Sequence, residues 1–305
     1  MGKSRVRLAG AGSRRVIVMP GRRKLEEHRR SIGEIRDIMN SMKLLAHMET
    51  RKLDHLLGTQ HAVVSSIETV AADFVSAYPE ATSAMQAAQE VYLVIGSERG
   101  FCGDFNETLL RQLERIQQDK QGKDFPILVT AGQKLHTSLP DDPRVAARLD
   151  GAGVAEEVAA VLTRVVDTLA ALQTQYGALT LYALYHAVDD DTLATQQLLP
   201  PFQDYLDRPS RFSLPPVLNL KPTDFLIELS DHYLFAALHE IFYASLMAEN
   251  QQRVQHLEGA VKHLDEESDE LRRQSNARRQ EEIIEEIEVI LLSAASLAET
   301  LPKRR

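Results

Sequence analysis

The chain has no tryptophan, a single cysteine and an aromatic content of only 6%. So few aromatics argue against a sandwich or barrel, where strands are enriched in them, and suit a helical protein. Cys102 alone can form no disulfide within the chain and supply no cysteine metal cluster, which fits a reducing compartment. Nowhere do the roughly 18 consecutive apolar residues of a membrane span occur, and the apolar stretch at 16–19, ended by Pro20, is too short for a secretory signal. Proline is missing from two long stretches, 25–77 and 224–301, which hold only Gly33, Gly58 and Gly259. Nothing in either interrupts a helix.

Both stretches carry a heptad seam. In the first, apolar residues recur at steps of three and four: Ile32, Ile35, Met39, Met42, Ala46, Leu53, Leu56, Val63, Ile67, Val70 and Phe74, with Glu49 and Gln60 in two slots. In the second the seam reads Leu234, Leu238, Ile241, Ser245, Ala248, then Leu257, Val261, Leu264, Ser268, Leu271, then Ile283, Ile287, Ile290, Ala294, Leu297. This is the pattern of one helix wrapped on another. At 1.5 Å per residue the helices would be roughly 80 and 115 Å long. Both adjoin the same central segment, so they should pair antiparallel, with ~35–40 Å of the longer one left over. Its last turns, around Ile290, Leu291, Ala294 and Leu297, are apolar on nearly every side. Such a helix must be buried, is too short to cross a bilayer, and therefore calls for a sleeve of other protein chains.

The centre reads differently. Apolar runs at 91–96, 125–132, 178–188 and 192–200 are strand candidates; helical patterns at 106–118 and 154–176 alternate with them, the second capped by Gly177. Alternation of this kind indicates an α/β unit with a largely parallel sheet. The fold class expected is α+β: a long antiparallel coiled coil of the N- and C-terminal helices with an inserted α/β, Rossmann-like domain. The expected division is a disordered basic extension at 1–23, a coiled-coil helix at 24–88, the α/β domain at 89–205, a linker at 206–222 and the C-terminal helix at 223–301.

Net charge is −9, yet residues 1–30 carry ten Lys/Arg against Glu26 and Glu27, leaving about −17 on the rest. An acidic body argues against general nucleic-acid binding. The loop GSERGFCG follows a strand and precedes a helix, as a phosphate-binding loop would, but has neither the Walker ending nor the G-x-G-x-x-G spacing, so it reads as a tight turn. Cys102 reads as a small buried hydrophobe rather than a nucleophile. The scattered histidines lack metal-site spacing, and the carboxylate runs at 265–270 and 281–288 read as solvated helix faces. No cofactor, metal or catalytic residue is expected.

Several motifs resemble the gamma subunit family of F-type ATP synthases. Ser31, Ile32, Ile38, Met42 and Ala46 fit its first helix; SERGFCGDFN at 97–106 is similar to its S-D-R-G-L-C-G-G-L-N loop; QQLLP ends the central domain. Ser245, Glu249 and Arg253, then Asn276, Arg279, Gln280, Ile283, Glu286 and Ile287, fit its last helix without a gap. Ile35 and Met39 in place of threonines, Ser41, Asp104, Arg278 and VILLSA at 289–294 mark a divergent branch. The resemblance covers about 24–300 and implies that 1–18 are an extension, with Met19 standing where many relatives start.

The resemblance further implies a rotor shaft coupling ion flow to ATP synthesis or hydrolysis, inside a ring of alpha and beta subunits, with the insert docked on the epsilon subunit and the membrane c-ring, peripheral on the cytoplasmic face of the inner membrane. Arg279 and Gln280 would act as a catch on the beta subunits' moving loop; Met42, Arg253 and Glu286 would lie at the shaft–ring interface, with Lys43 a positive neighbour. The competing readings are a static coiled-coil adaptor with a globular insert, and a small α/β enzyme with helical arms.

Overall fold

The computed structural model describes residues 22–82, 89–119, 126–139, 142–188, 193–206, 212 and 214–300, the side chains of 82, 119 and 295–300 excepted. Most of the basic extension and part of the linker thus lie outside the described residues. In chain order the elements are α1 (Arg22–Ala77), β1 (Gln89–Ile95), α2 (Phe105–Asp119), β2 (Ile127–Ala131), α3 (Gln133–Ser138), β3 (Val145–Leu149), α4 (Val158–Tyr176), β4 (Leu179–His186), β5 (Leu193–Leu199) and α5 (Pro222–Thr300). The two proline-free stretches form single helices of 56 and 79 residues. Pro222 opens α5, where its missing N–H would have had no intrahelical partner anyway. The chain divides into two compact units: Met1–Ile38 with Val261–Arg305, and Met39–Ala260.

In the first unit α1 and α5 run antiparallel. Leu25, Ile32 and Leu271 form a small core with Leu264 packed against it. Around it, Arg22 meets Glu282 at 3.8 Å, His28 meets Glu267 at 3.9 Å and Arg36 meets Asp265 at 3.2 Å. These pairs are solvent-exposed, so they fix register more than they stabilise. The apolar seam holds the helices together.

The second unit is built on a five-stranded sheet of order β3-β2-β1-β4-β5. The first four strands pair in parallel, and β5 runs antiparallel to β4. The connection from β4 to β5 spans only residues 187–192, too short for the crossover that a parallel partner needs. Alternating residues of β1 feed two cores. Val91, Leu93 and Ile95 face α4, whose Val161, Leu162, Val165 and Leu169 are buried there, in a cluster continuous with Phe74 of α1 and Leu238 of α5. Tyr92 and Val94 face Phe105, Leu109 and Leu113 of α2. Strand β1 is thus covered on both sides, which is why it reads as one apolar run. Gly177, at φ +84, ends α4 with its N–H on the Gln173 carbonyl.

Two features differ from the sequence expectation. Strand β3 and the six-residue α3 carried no signal: β3 alternates half-buried with exposed residues, and Leu135 is the only buried residue of α3. The seam of α1 also shifts. Leu53 is buried, but Val63 and Val70 are 43% and 47% exposed, while Val64, Ala71 and Val75 are buried. The buried line Leu53, Val64, Val75 steps by eleven, about 3.67 residues per turn, rather than by the seven of a strict heptad.

Candidate partner-binding surfaces

The loop at 96–104 leaves the carboxyl end of β1 and turns back to start α2. Gly96 sits where a Cβ would meet Leu135 Cβ at 2.5 Å. Phe101 and Gly103 adopt left-handed backbone, with φ of 65° and 59°. Asn106 secures the start of the loop: its Oδ1 accepts the Ser97 N–H at 3.0 Å and its Nδ2 donates to Ser97 Oγ at 2.8 Å. The rest is held by α5. Glu249 Oε2 accepts the Glu98 N–H and Oε1 the Arg99 N–H, both at 3.2 Å. Arg253 pairs with Glu249 and donates to the Gly100 carbonyl at 3.1 Å, to Cys102 Sγ at 3.2 Å and to Asn250 Oδ1 at 2.8 Å.

Glu249 and Arg253 are 3% and 5% exposed. Burial pushes the Glu249 carboxyl above its usual range, against the pull of Arg253 and of the two backbone N–H groups. Its close partners are donors, which suit the ionised form. Burial, reinforced by the nearby Glu249 charge and partly offset by Arg253, pushes the Cys102 thiol up to about 12. Cys102 is therefore held as a neutral, buried thiol.

Arg253 thus spends its donors within the chain. The resemblance placed it at a partner interface; here its guanidinium is consumed inside the chain. Met42 is half-buried and lines, with Leu45, Ala46, Val154, Arg99 and Arg253, a cavity of about 180 Å³. Leu44, Leu45 and Met48 beside it are 60%, 64% and 59% exposed.

The far end of α5 is a different kind of surface. Arg279, Gln280 and Glu286 are exposed, and among the described residues Arg278, not Arg279, pairs with Glu281, at 2.6 Å. Around and beyond them Ile283, Ile284, Ile287, Val289, Ile290, Leu291 and Leu292 are 45–71% exposed. Ala294 is also exposed; the side chain of Leu297 lies outside the described residues. Among the described residues no helix is long and apolar enough to cross a membrane, and no group of three or more His, Cys, Asp or Glu could hold a metal ion.

Two further carboxylates were missed from the sequence. Glu98 Oε2 accepts the N–H groups of Gln133 and Gly151, at 3.0 and 2.7 Å. Glu49 Oε1 accepts the Ala155 N–H at 2.7 Å, and Lys52 bridges Glu49 and Glu156. The one available signal was Glu49 itself, the one carboxylate among the slots of the α1 seam.

A sequence profile of the family described as ATP synthase matches residues 22–297. An ATP synthase gamma chain of Clostridium beijerinckii is 23% identical over 282 residues, 90% of this chain and 97% of that one. The mitochondrial ATP synthase subunit gamma of Yarrowia lipolytica is 26% identical over 157 residues, 50% of this chain; the chain spans about half, 52%, of that relative's length. Among solved structures, a chain of the Tetrahymena thermophila mitochondrial ATP synthase central stalk and c-ring superposes with a TM-score of 0.55 at 18% identity, over 73% of this chain and 99% of that one.

Proposed function

Because the chain belongs to the ATP synthase gamma chain family, we propose that it is the rotor shaft of an F-type ATP synthase, coupling ion flow through a membrane c-ring to ATP synthesis or hydrolysis on beta subunits. The observation that carries this reading is the band of bare aliphatic side chains from Ile283 to Leu292. Each would gain on the order of 1 kcal/mol or more on burial, and a helix apolar on most sides persists in water only when covered. A ring of three alpha and three beta subunits supplies such a sleeve. An aliphatic lining without directional hydrogen bonds lets the tip turn within it.

In this reading Arg279, Gln280 and Glu286 face the ring below the tip. The exposed Arg279 guanidinium suits a bidentate carboxylate on a moving beta-subunit loop. Met42, with Leu44, Leu45 and Met48, gives α1 an apolar contact with the ring. Two unlike helices make an asymmetric shaft, so each beta subunit meets a different face and is biased toward a different conformation. Only such differential contact lets a partner shift an equilibrium. The sheet domain would dock on the epsilon subunit and the c-ring, which leaves the chain peripheral on the membrane's cytoplasmic face. Catalysis then belongs to the beta subunits, and this chain contributes torque.

Co-expression with the alpha and beta subunits of the same organism tests the proposal. The expected product is a complex of three alpha, three beta and one copy of this chain that hydrolyses ATP, and truncation after Gln280 should abolish its assembly. Stable self-association without alpha and beta capture would instead support a static adaptor.

A further inference from the structure

In doubly wound sheets the ligand site lies beyond the carboxyl ends of the parallel strands, near the strand where the order reverses. Here that strand is β1, with β2 on one side and β4 on the other. The backbone N–H groups at this edge, the kind that cradle anions in such folds, are nevertheless filled. Glu249 from α5 takes Glu98 and Arg99 just after β1. Glu98 takes Gln133 after β2 and Gly151 after β3. Glu49 from α1 takes Ala155.

We infer that the ligand edge of this sheet is an anion site occupied in cis, with the Glu249 carboxylate as the ligand of the β1–α2 loop, and that it serves as the socket fixing the sheet domain to α5. The inference goes beyond the rotor reading and stands independently of it. Three observations carry it. The loop presents two consecutive N–H groups to the two oxygens of one carboxylate. That carboxylate is 3% exposed, and a buried charge persists only where its lone pairs are served. Arg253, itself buried, binds the same carboxylate and also the Gly100 carbonyl, so one ion pair grips both polarities of the loop backbone. The strand–loop–helix that resembles a phosphate loop without its signature is thus a carboxylate loop whose ligand comes from the same chain.

Chemical rescue of the full chain tests this. The variants are Glu249→Ala, which vacates the site, and Glu249→Gln, which keeps the shape and removes the charge. Amide exchange at Glu98 and Arg99 should accelerate at least about tenfold in both, the effect of losing one charge-assisted hydrogen bond. Sodium formate should restore protection to Glu249→Ala, sodium chloride at equal ionic strength should not, and the parent should respond to neither. If Glu249→Ala does not fold in chloride, refolding yield in formate against chloride becomes the readout, with higher yield in formate expected. Unchanged exchange in both variants, or equal rescue by formate and chloride, would overturn the inference.

Discussion

Cys102 and Glu249 share one buried pocket beside the Arg253 guanidinium, and their chemistry follows from that burial. With the thiol pushed up to about 12 by burial, the reactive thiolate is scarce at pH 8. Iodoacetamide should therefore leave the folded chain unlabelled and modify Cys102 once the chain is unfolded. Labelling of the folded chain at the rate of a free thiol would contradict the burial described. His61 gives the opposite sign. Its Nδ1 lies 2.7 Å from Glu240 Oε1, and that contact raises its affinity for a proton. The pair's contribution is fully present below the unfolded value of about 6.5 and is lost as pH rises through the higher folded value. The imidazole is largely exposed, so the effect is small. The Tm difference between the parent and His61→Gln should be larger at pH 5.5 than at pH 8.5; equal differences would rule the ion pair out. Residue-scale function was the least legible part of the sequence. Cys102 could be read as buried from its type, but Glu249 meets Glu98 across 151 positions. No local pattern reveals that Arg253 turns inward while Arg279 stays exposed.

The long helices were the most legible elements, because missing proline, sparse glycine and an apolar seam all point the same way. The seam's register was less so: from Leu53 onward α1 packs within the second unit on a broader face, which tolerates a departure from the heptad that a two-helix seam would not. Val64 is 4% exposed and Val63 is 43% exposed. Val64→Ala should therefore destabilise by about 2 kcal/mol more than Val63→Ala in chemical denaturation. A reversed order would restore the heptad register. Strand β3 and helix α3 stayed hidden because each buries too little to leave a pattern. At the other end of α5, Ile287 is half exposed in the chain by itself. Ile287→Asp should leave the thermal stability of the free chain nearly unchanged and impair assembly or ATP synthesis in vesicles. Normal synthesis by that variant would remove the tip from any sleeve.

For the whole molecule, the sequence gives an acidic chain with a basic N-terminal segment, two long helices and an α/β insert, and the family match over residues 22–297 spans all but the ends. In the proposed reading catalysis belongs to the beta subunits, so the function is tested in the complex. Arg279→Ala should assemble with alpha and beta subunits and change the turnover of ATP hydrolysis; unchanged kinetics would remove Arg279 from the catch. The most direct measurement fixes the alpha–beta ring to a surface, attaches a probe to the sheet domain of this chain and adds ATP. A rotor shaft predicts unidirectional stepping of the probe that stops when ATP is withdrawn. A probe that stays still, or fluctuates without direction while the complex hydrolyses ATP, would contradict it.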